Sequence, residues 1–379
     1  TQIDGRGMTL MPGLVEGHAH LSFGGAQKNS DLGDIPPEEH VLLTMRNAKT
    51  LLDHGFTSAY SAASAKLRLD VVIRNEIAAG RLPGPRLRAA GPELTVTAGL
   101  GDENRLHMLR DSFGMVVDGA DAIAKAVRTC VREGVDSIKI NISGDDFVPA
   151  AKGGMTVMRE IEVSTAVEVA HSFGKRVNSH SRSSASVKRA VQCGVDVIYH
   201  CESADDEALD LLEANRDRIF VGPAIGLIYN TMFEAEAFGI TEDVAHGLGM
   251  HAVMESSQRT YAEMRRRGIR VVVGGDYGFA WVPQGTNARD IAHFVNLFGY
   301  SPSEALQCAT RVGGEIMGLG HELGLVKEGY LADLLLVDGD PLKDVSLLQH
   351  QEKLVVIMQD GRLYKDASAD RRRAAVAAE

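Results

Sequence analysis

The sequence predicts an α/β fold, a (β/α)8 TIM barrel with a small β unit formed from the chain ends. Three observations predict it. Short strands alternate with helical segments along most of the 379 residues. The strands are near-continuous apolar runs, as in a parallel sheet covered on both faces. Eight of them can be counted, which favours a closed barrel over an open sheet.

The elements follow in order. Thr1–Thr9 reads as a strand and turn, so residues 1–10 supply an end strand of the small β unit. That unit is expected to be incomplete, wanting strands ahead of Thr1. A short apolar run (Leu10, Met11, Leu14, Val15) then forms the first barrel strand. Glu38–His54 sets Val41, Leu42, Met45, Ala48, Leu51 and Leu52 at a helical period, and Gly55 stops it. Phe56–Ala62 is a strand, Lys66–Ala79 a helix ended by Gly80, and Arg86–Gly91 a short strand. Ala98–Met115 is Gly-rich, polar and aperiodic, a long loop of the sort that carries function in compact domains.

Five helix–strand repeats follow. The helices are Asp121–Glu133, Arg159–Phe173, Ser184–Cys193, Asp205–Ala214 and Met254–Arg267. They lead to strands Ser137–Ile142, Arg176–Ser179, Val195–His200, Ile219–Gly222 and Val271–Gly275. Gly134, Gly174, Gly194 and Gly268 punctuate helix ends. Residues 11–323 thus form the barrel. Residues 324–366, with the runs LADLLLVDG and KLVVIMQDG, supply the C-terminal strands of the small β unit, and 367–379 is a tail.

Composition narrows the partners. A net charge of −11 argues against nucleic acid or an anionic membrane as the main partner, and no apolar run is long enough to span a bilayer. Cys130, Cys193, Cys201 and Cys308 fall at unrelated spacings, the pattern of reduced, mostly buried thiols in a cytoplasmic protein. A small-molecule substrate and a homo-oligomeric state are expected.

The chemistry gathers at strand ends, where barrel enzymes keep their sites. His18 and His20 are two apart, so on one strand both imidazoles point the same way and could grip one metal ion. Lys139 interrupts the apolar fourth strand, where a charged, unpaired ammonium would cost several kcal/mol. His180 ends the fifth strand, His200 the sixth and Asp276 the eighth. Singly, each could be a satisfied core histidine, a snorkelling lysine or a helix-capping Asp. Together, ligand-type residues at one strand end after another make coincidence a poor explanation.

The segments PGLVEGHAH, GPRLRAAGPELT, GVDSIKINISG, VNSHS, GVDVIYHCES, VVVGGDYG and GLVKEGYLADLLLVDGDPL cover nearly the whole chain. It resembles the amidohydrolase superfamily, within it the imidazolonepropionase and Xaa-Pro dipeptidase-like branch. The resemblance implies two divalent metal ions, zinc above all. His18 and His20 would bind one and His180 and His200 the other. A carboxylated Lys139 would bridge both, and Asp276 would bind the first. Carboxylation makes physical sense, since it turns a buried ammonium into an anionic ligand satisfied by two cations. Two departures fall on substrate-facing loops. Ala98–Gly101 stands where the family usually has Gly-Gly-His-Gly, and Ser181-Arg182 follows the fifth-strand His in place of a Tyr or similar group.

The implied activity is metal-dependent hydrolysis of an amide, carbamate or peptide-like C–N bond by a bridging hydroxide. Asp276 would act as general base and then acid. Tyr229, in the loop after the seventh strand, is a candidate oxyanion donor, or else a packing aromatic. Arg182 could pair with a substrate carboxylate, or with a nearby Asp or Glu. A cyclic-amide hydrolase or deaminase would use the same centre. A catalytically silent assembly protein would be marked by lost ligands, and none is lost here.

Overall fold

The computed structural model describes residues 2–368, so of the expected tail only Ala367 and Ser368 fall within it. In chain order the strands are β1 (Thr9–Pro12), β2 (Leu14–Ala19), β3 (Phe56–Ser61), β4 (Arg86–Arg88), β5 (Ala90–Thr95), β6 (Gly114–Val116) and β7 (Ser137–Asn141). There follow β8 (Arg176–Ser183), β9 (Val197–Ser203), β10 (Phe220–Gly222), β11 (Leu334–Val337), β12 (Leu354–Gln359) and β13 (Arg362–Asp366). Two sheets are parallel, β2-β3-β4 and β10-β9-β8-β7-β5-β6.

Three expected strands differ from what is found. The end strand expected in Thr1–Thr9 is instead Thr9–Pro12, so Leu10 and Met11 pair with β11 in the chain-end sheet and the first parallel strand starts at Leu14. Arg86–Gly91 is longer and broken, because β4 pairs with β3 while β5, one residue on, pairs with β7. This stretch hands the chain from one parallel sheet to the other. Val271–Gly275 forms no ladder, yet it is held on both sides. The Val272 amide donates to the Val221 carbonyl at 2.9 Å, and the Gly17 amide to the Val273 carbonyl at 2.8 Å. Regular pairing stops there because the backbones crowd: a Cβ on Gly274 would lie 2.5 Å from the His18 amide nitrogen.

Helices Pro37–Asp53, Leu69–Ala78, Ala120–Arg132, Glu160–Ser172, Ser184–Cys193, Asp206–Ala214 and Met250–Arg266 fall near their expected ranges. Ile225–Phe233, Arg289–Phe298 and Pro302–Ala309 were not legible. The first buries Ile225, Leu227, Ile228, Asn230 and Thr231, so it lacks the polar face by which a surface helix is recognised. Most of 98–115 is irregular, as expected, and ends in β6.

Val15, Tyr60, Val197, Tyr199, Phe220 and Val272, drawn from both parallel sheets and the Val271–Gly275 segment, pack on one another and on Ile316 and Met317. Each such side chain gains about 1.5–3 kcal/mol on burial. The chain ends meet in one antiparallel sheet, β1-β11-β12-β13, in which Thr9 pairs with Val337 and Pro12 with Leu334. One set of its side chains (Leu335, Leu354, Ile357) joins the main core, and Leu336 and Val356 cover a satellite with Ile3 and Met8.

Candidate metal centre

All six expected ligands line one cavity; five are buried, and the Asp276 side chain is 12% exposed. His18 is on β2 and His20 just past its end, Lys139 is on β7, His180 on β8 and His200 on β9. Asp276 follows the Gly274-Gly275 pair. One ligand atom each from His18, His20 and Asp276 lies within 4.8 Å of the others. Asp276 Oδ1 is 3.2 Å from His20 Nε2 and 3.8 Å from His18 Nε2. The His180 and His200 rings lie 4.1 Å apart across the cavity, and the His18 and His200 rings 5.6 Å. His180 Nε2 is 3.1 Å from the Gly144 carbonyl and 3.6 Å from Asp145 Oδ2.

Several features fit a cation. Both ring nitrogens of His18 and both of His200 are buried without a hydrogen-bond partner. Buried polar atoms are nearly always satisfied, and lone-pair nitrogens facing a carboxylate are what a divalent ion satisfies. Burial pushes the His18 and His200 pKa values well below the ordinary value and that of His180 to about 3, so these imidazoles are neutral, the ligating form. Burial also lowers the Lys139 pKa, against the pull of Glu93 and Asp276. Burial alone would raise Asp276, but His18, His20 and Lys139 outweigh it and hold the carboxyl below its usual range.

The backbone supports the same geometry. His200 (φ 76°) and Asp276 (φ 63°) are both non-glycine residues in the left-handed region, a strained conformation concentrated at functional sites. Around them a second set of groups fixes the rings. His20 Nδ1 lies 3.1 Å from the Ala63 carbonyl, a bond that directs Nε2 toward Asp276. Glu16 accepts from the His18 amide at 3.0 Å and from Asn287 Nδ2 at 2.9 Å.

Arg182 and Tyr229 are placed away from the reacting atoms. Arg182 is buried, with Nε 2.9 Å from Asp145 Oδ2 and Nη1 2.7 Å from Glu202 Oε1, so of the two expected partners it has the protein's own acids. Tyr229 does not line the cavity; its ring packs 4.4 Å from His293 and 4.8 Å from Phe233. From its helix the cavity-lining residue is Leu227.

Glu93 and Asp145 also line the cavity and were not picked out from sequence. Glu93 accepts from Asn141 Nδ2 at 2.6 Å and stands 3.9 Å from Lys139 Nζ. An acid inside the buried run AGPELT is the same signal that drew attention to Lys139. Asp145 follows a strand end in SGDD, the position already used to select the other ligands. The cavity is small, about 40 Å³, and shares Asn29, Phe147 and Phe279 with a neighbouring groove of about 790 Å³.

Residues 9–364 match the amidohydrolase family. The chain is 24% identical to an ochratoxinase of Aspergillus niger, over 96% of this chain and 77% of that protein. It is 23% identical to an imidazolonepropionase of Rubrobacter xylanophilus, over 95% and 83%. A solved Xaa-Pro dipeptidase with methionine bound in its active site superposes with a TM-score of 0.84 at 28% identity, covering 95% of this chain and 87% of that one.

Proposed function

The chain belongs to the amidohydrolase family, as its motifs imply, and from that premise we propose that it is a metal-dependent hydrolase of an amide, carbamate or peptide-like carbon–nitrogen bond. The observation that carries this reading is the convergence of His18, His20 and Asp276 within 4.8 Å, beside buried imidazole nitrogens without partners. The similarity to a Xaa-Pro dipeptidase and an imidazolonepropionase supports it.

In this reading His18, His20 and Asp276 hold one divalent ion and His180 and His200 a second. Zinc is the ion proposed, and Lys139, as its carbamate, would supply an anionic oxygen ligand there. Divalent ions there would polarise the scissile carbonyl and ready a water for attack. Asp276, anionic and next to both His18 and His20, takes the proton from that water and returns it to the leaving nitrogen. Burial lowers the Lys139 pKa, which favours the neutral amine that adds carbon dioxide, losing one proton as the N–C bond forms. Arg182 acts through Asp145, holding it against His180.

We further read the two parallel sheets as parts of one closed (β/α)8 barrel that begins with β2 instead of at residue 11, since Met11 and Pro12 stand in the chain-end sheet, the small β unit. The bonds from Val272 to Val221 and from Gly17 to Val273 support closure.

Elemental analysis tests the centre directly. Close to two equivalents of divalent metal are expected, with hydrolysis lost to a chelator and restored by zinc. A stable single equivalent would favour a mononuclear, deaminase-like site, and no bound metal after supplementation would end the reading. Lys139→Ala should be inactive and partly rescued by short carboxylic acids.

A further inference from the structure

An unbroken run of aromatic rings leads from the metal cavity into the groove. The Phe23 ring stacks on His20, with centroids 4.3 Å apart and 14° between planes. Phe279 is 6.1 Å from Phe23. Trp281 stacks on Phe279 at 5.2 Å and 18°, and Phe147 lies 6.0 Å from Trp281. Phe147 and Phe279 line both the cavity and the groove, so they form the passage between them. Trp281 is fixed from behind, since its Nε1 donates to Thr231 Oγ1 at 3.0 Å.

Lys28, Arg105 and Arg110 line the groove, whereas the cavity itself is poor in cations. Apart from histidines, the one cationic side chain lining the cavity among the described residues is Lys139, which faces Glu93. The nearby Arg182 is closed off by Asp145 and Glu202. A carboxylate beside the scissile bond would therefore meet no free guanidinium or ammonium, while a flat apolar group would meet ring faces. Volume points the same way. A cavity of about 40 Å³ admits little beyond the reacting group, and the groove of about 790 Å³ has the size of a pocket for a drug-sized ligand.

Resting on the hydrolase reading above, we propose that the substrate is an amide with an uncharged, flat aromatic group bonded directly to the scissile carbonyl or nitrogen, seated against Phe279 and Phe147. Phe279 and Phe147 are then specificity residues, and the remainder of the substrate lies in the groove. Offset or edge-on ring contacts are worth a factor of about 3–10 each in affinity.

Two hydroxamates that share one metal-binding group separate the seat from the metal. Acetohydroxamate and 2-naphthohydroxamate are titrated calorimetrically into the zinc-loaded protein. The naphthyl compound is expected to bind at least about 100-fold tighter. Phe279→Leu, which keeps apolar bulk but removes the ring face, should weaken it about 3–10-fold and leave acetohydroxamate unchanged. Phe147→Ala is a second variant on a separate segment and should do the same. Affinities for the two compounds within about 3-fold of each other would overturn the seat while leaving the metal centre intact. Variants that weaken both compounds alike would overturn it too. Binding of neither compound would remove the hydrolase reading and the seat with it.

Discussion

Tyr199 lies flat against His18, with ring centroids 3.8 Å apart and 21° between planes, and its hydroxyl donates to the Gly17 carbonyl at 2.7 Å. Tyr199 immediately precedes His200 on β9, so a single ring braces β2 from the strand that carries a ligand of the other pair. Tyr199→Phe keeps the stack and loses one buried hydrogen bond, so it should cost about 1 kcal/mol of stability with little change in metal affinity. Tyr199→Ala removes the brace and should weaken metal binding about 10–100-fold. Competition against a chromogenic chelator measures both. Wild-type affinity in the alanine variant would mean that His18 needs no support from the ring.

Asp276→Asn should reduce turnover by at least about 10²-fold, with KM little changed. Asparagine keeps a weak ligand oxygen but cannot shuttle the proton. Turnover and metal content must be read on the same sample. If the variant holds its full metal complement and still turns over near the wild-type rate, the proton carrier is another residue.

Arg182→Met should be strongly destabilising, by about 3–5 kcal/mol, because it leaves Asp145 and Glu202 as buried carboxylates without their cation. Lowering the pH should recover part of the loss as those acids protonate, and adding Glu202→Gln should recover part of it at neutral pH. An Arg182 that read a substrate carboxylate would instead raise KM and leave thermal unfolding where it was.

His293 is buried against Tyr229, away from the metal ligands, and burial together with Arg289 lowers its pKa to about 4. Its folded pKa lies below the unfolded value of 6.5, so its contribution is complete above that value. It is lost as pH falls from about 6.5 toward 4, at most about 3 kcal/mol in all. His293→Leu should flatten the acid limb of the stability curve over that window. An unchanged difference between wild type and variant across pH 4–7 would show that this ring is not a source of acid sensitivity.

The residues proposed as ligands were legible by two simple rules, a polar residue in or at the end of an apolar strand and a period of two along it. His18 and His20 satisfy both. Glu93, inside β5, and Asp145, past the end of β7, come near the first rule only; each has a commonplace alternative as a strand acid or a turn former, and their approach to Lys139 and His180 distinguishes them. The helix Ile225–Phe233 was hidden by its burial, since periodicity reports contrast between faces and this helix has little. The break between β4 and β5 was hidden for another reason: both halves read as one strand, and the change of partner is a property of the assembled sheets. Tyr229 was misplaced by that same hidden helix, which turns Leu227 rather than Tyr229 toward the cavity.

The pairing of β1 with β11 has a consequence in time. Only Gly13 separates β1 from β2, and the Gly13 amide donates to the Asp333 carbonyl at 2.8 Å. The strand bearing His18 and His20 is therefore anchored to partners near the far end of the chain, and Thr9 meets Val337 only after nearly everything between them has been synthesised. Such long-range closure is slow, and a vectorially emerging chain cannot anticipate it. On the ribosome the first two histidines wait, without their outer anchor, until the last sheet leaves the exit tunnel. Closure of that sheet, and with it the final placing of His18 and His20, is then a late event in folding instead of an early one.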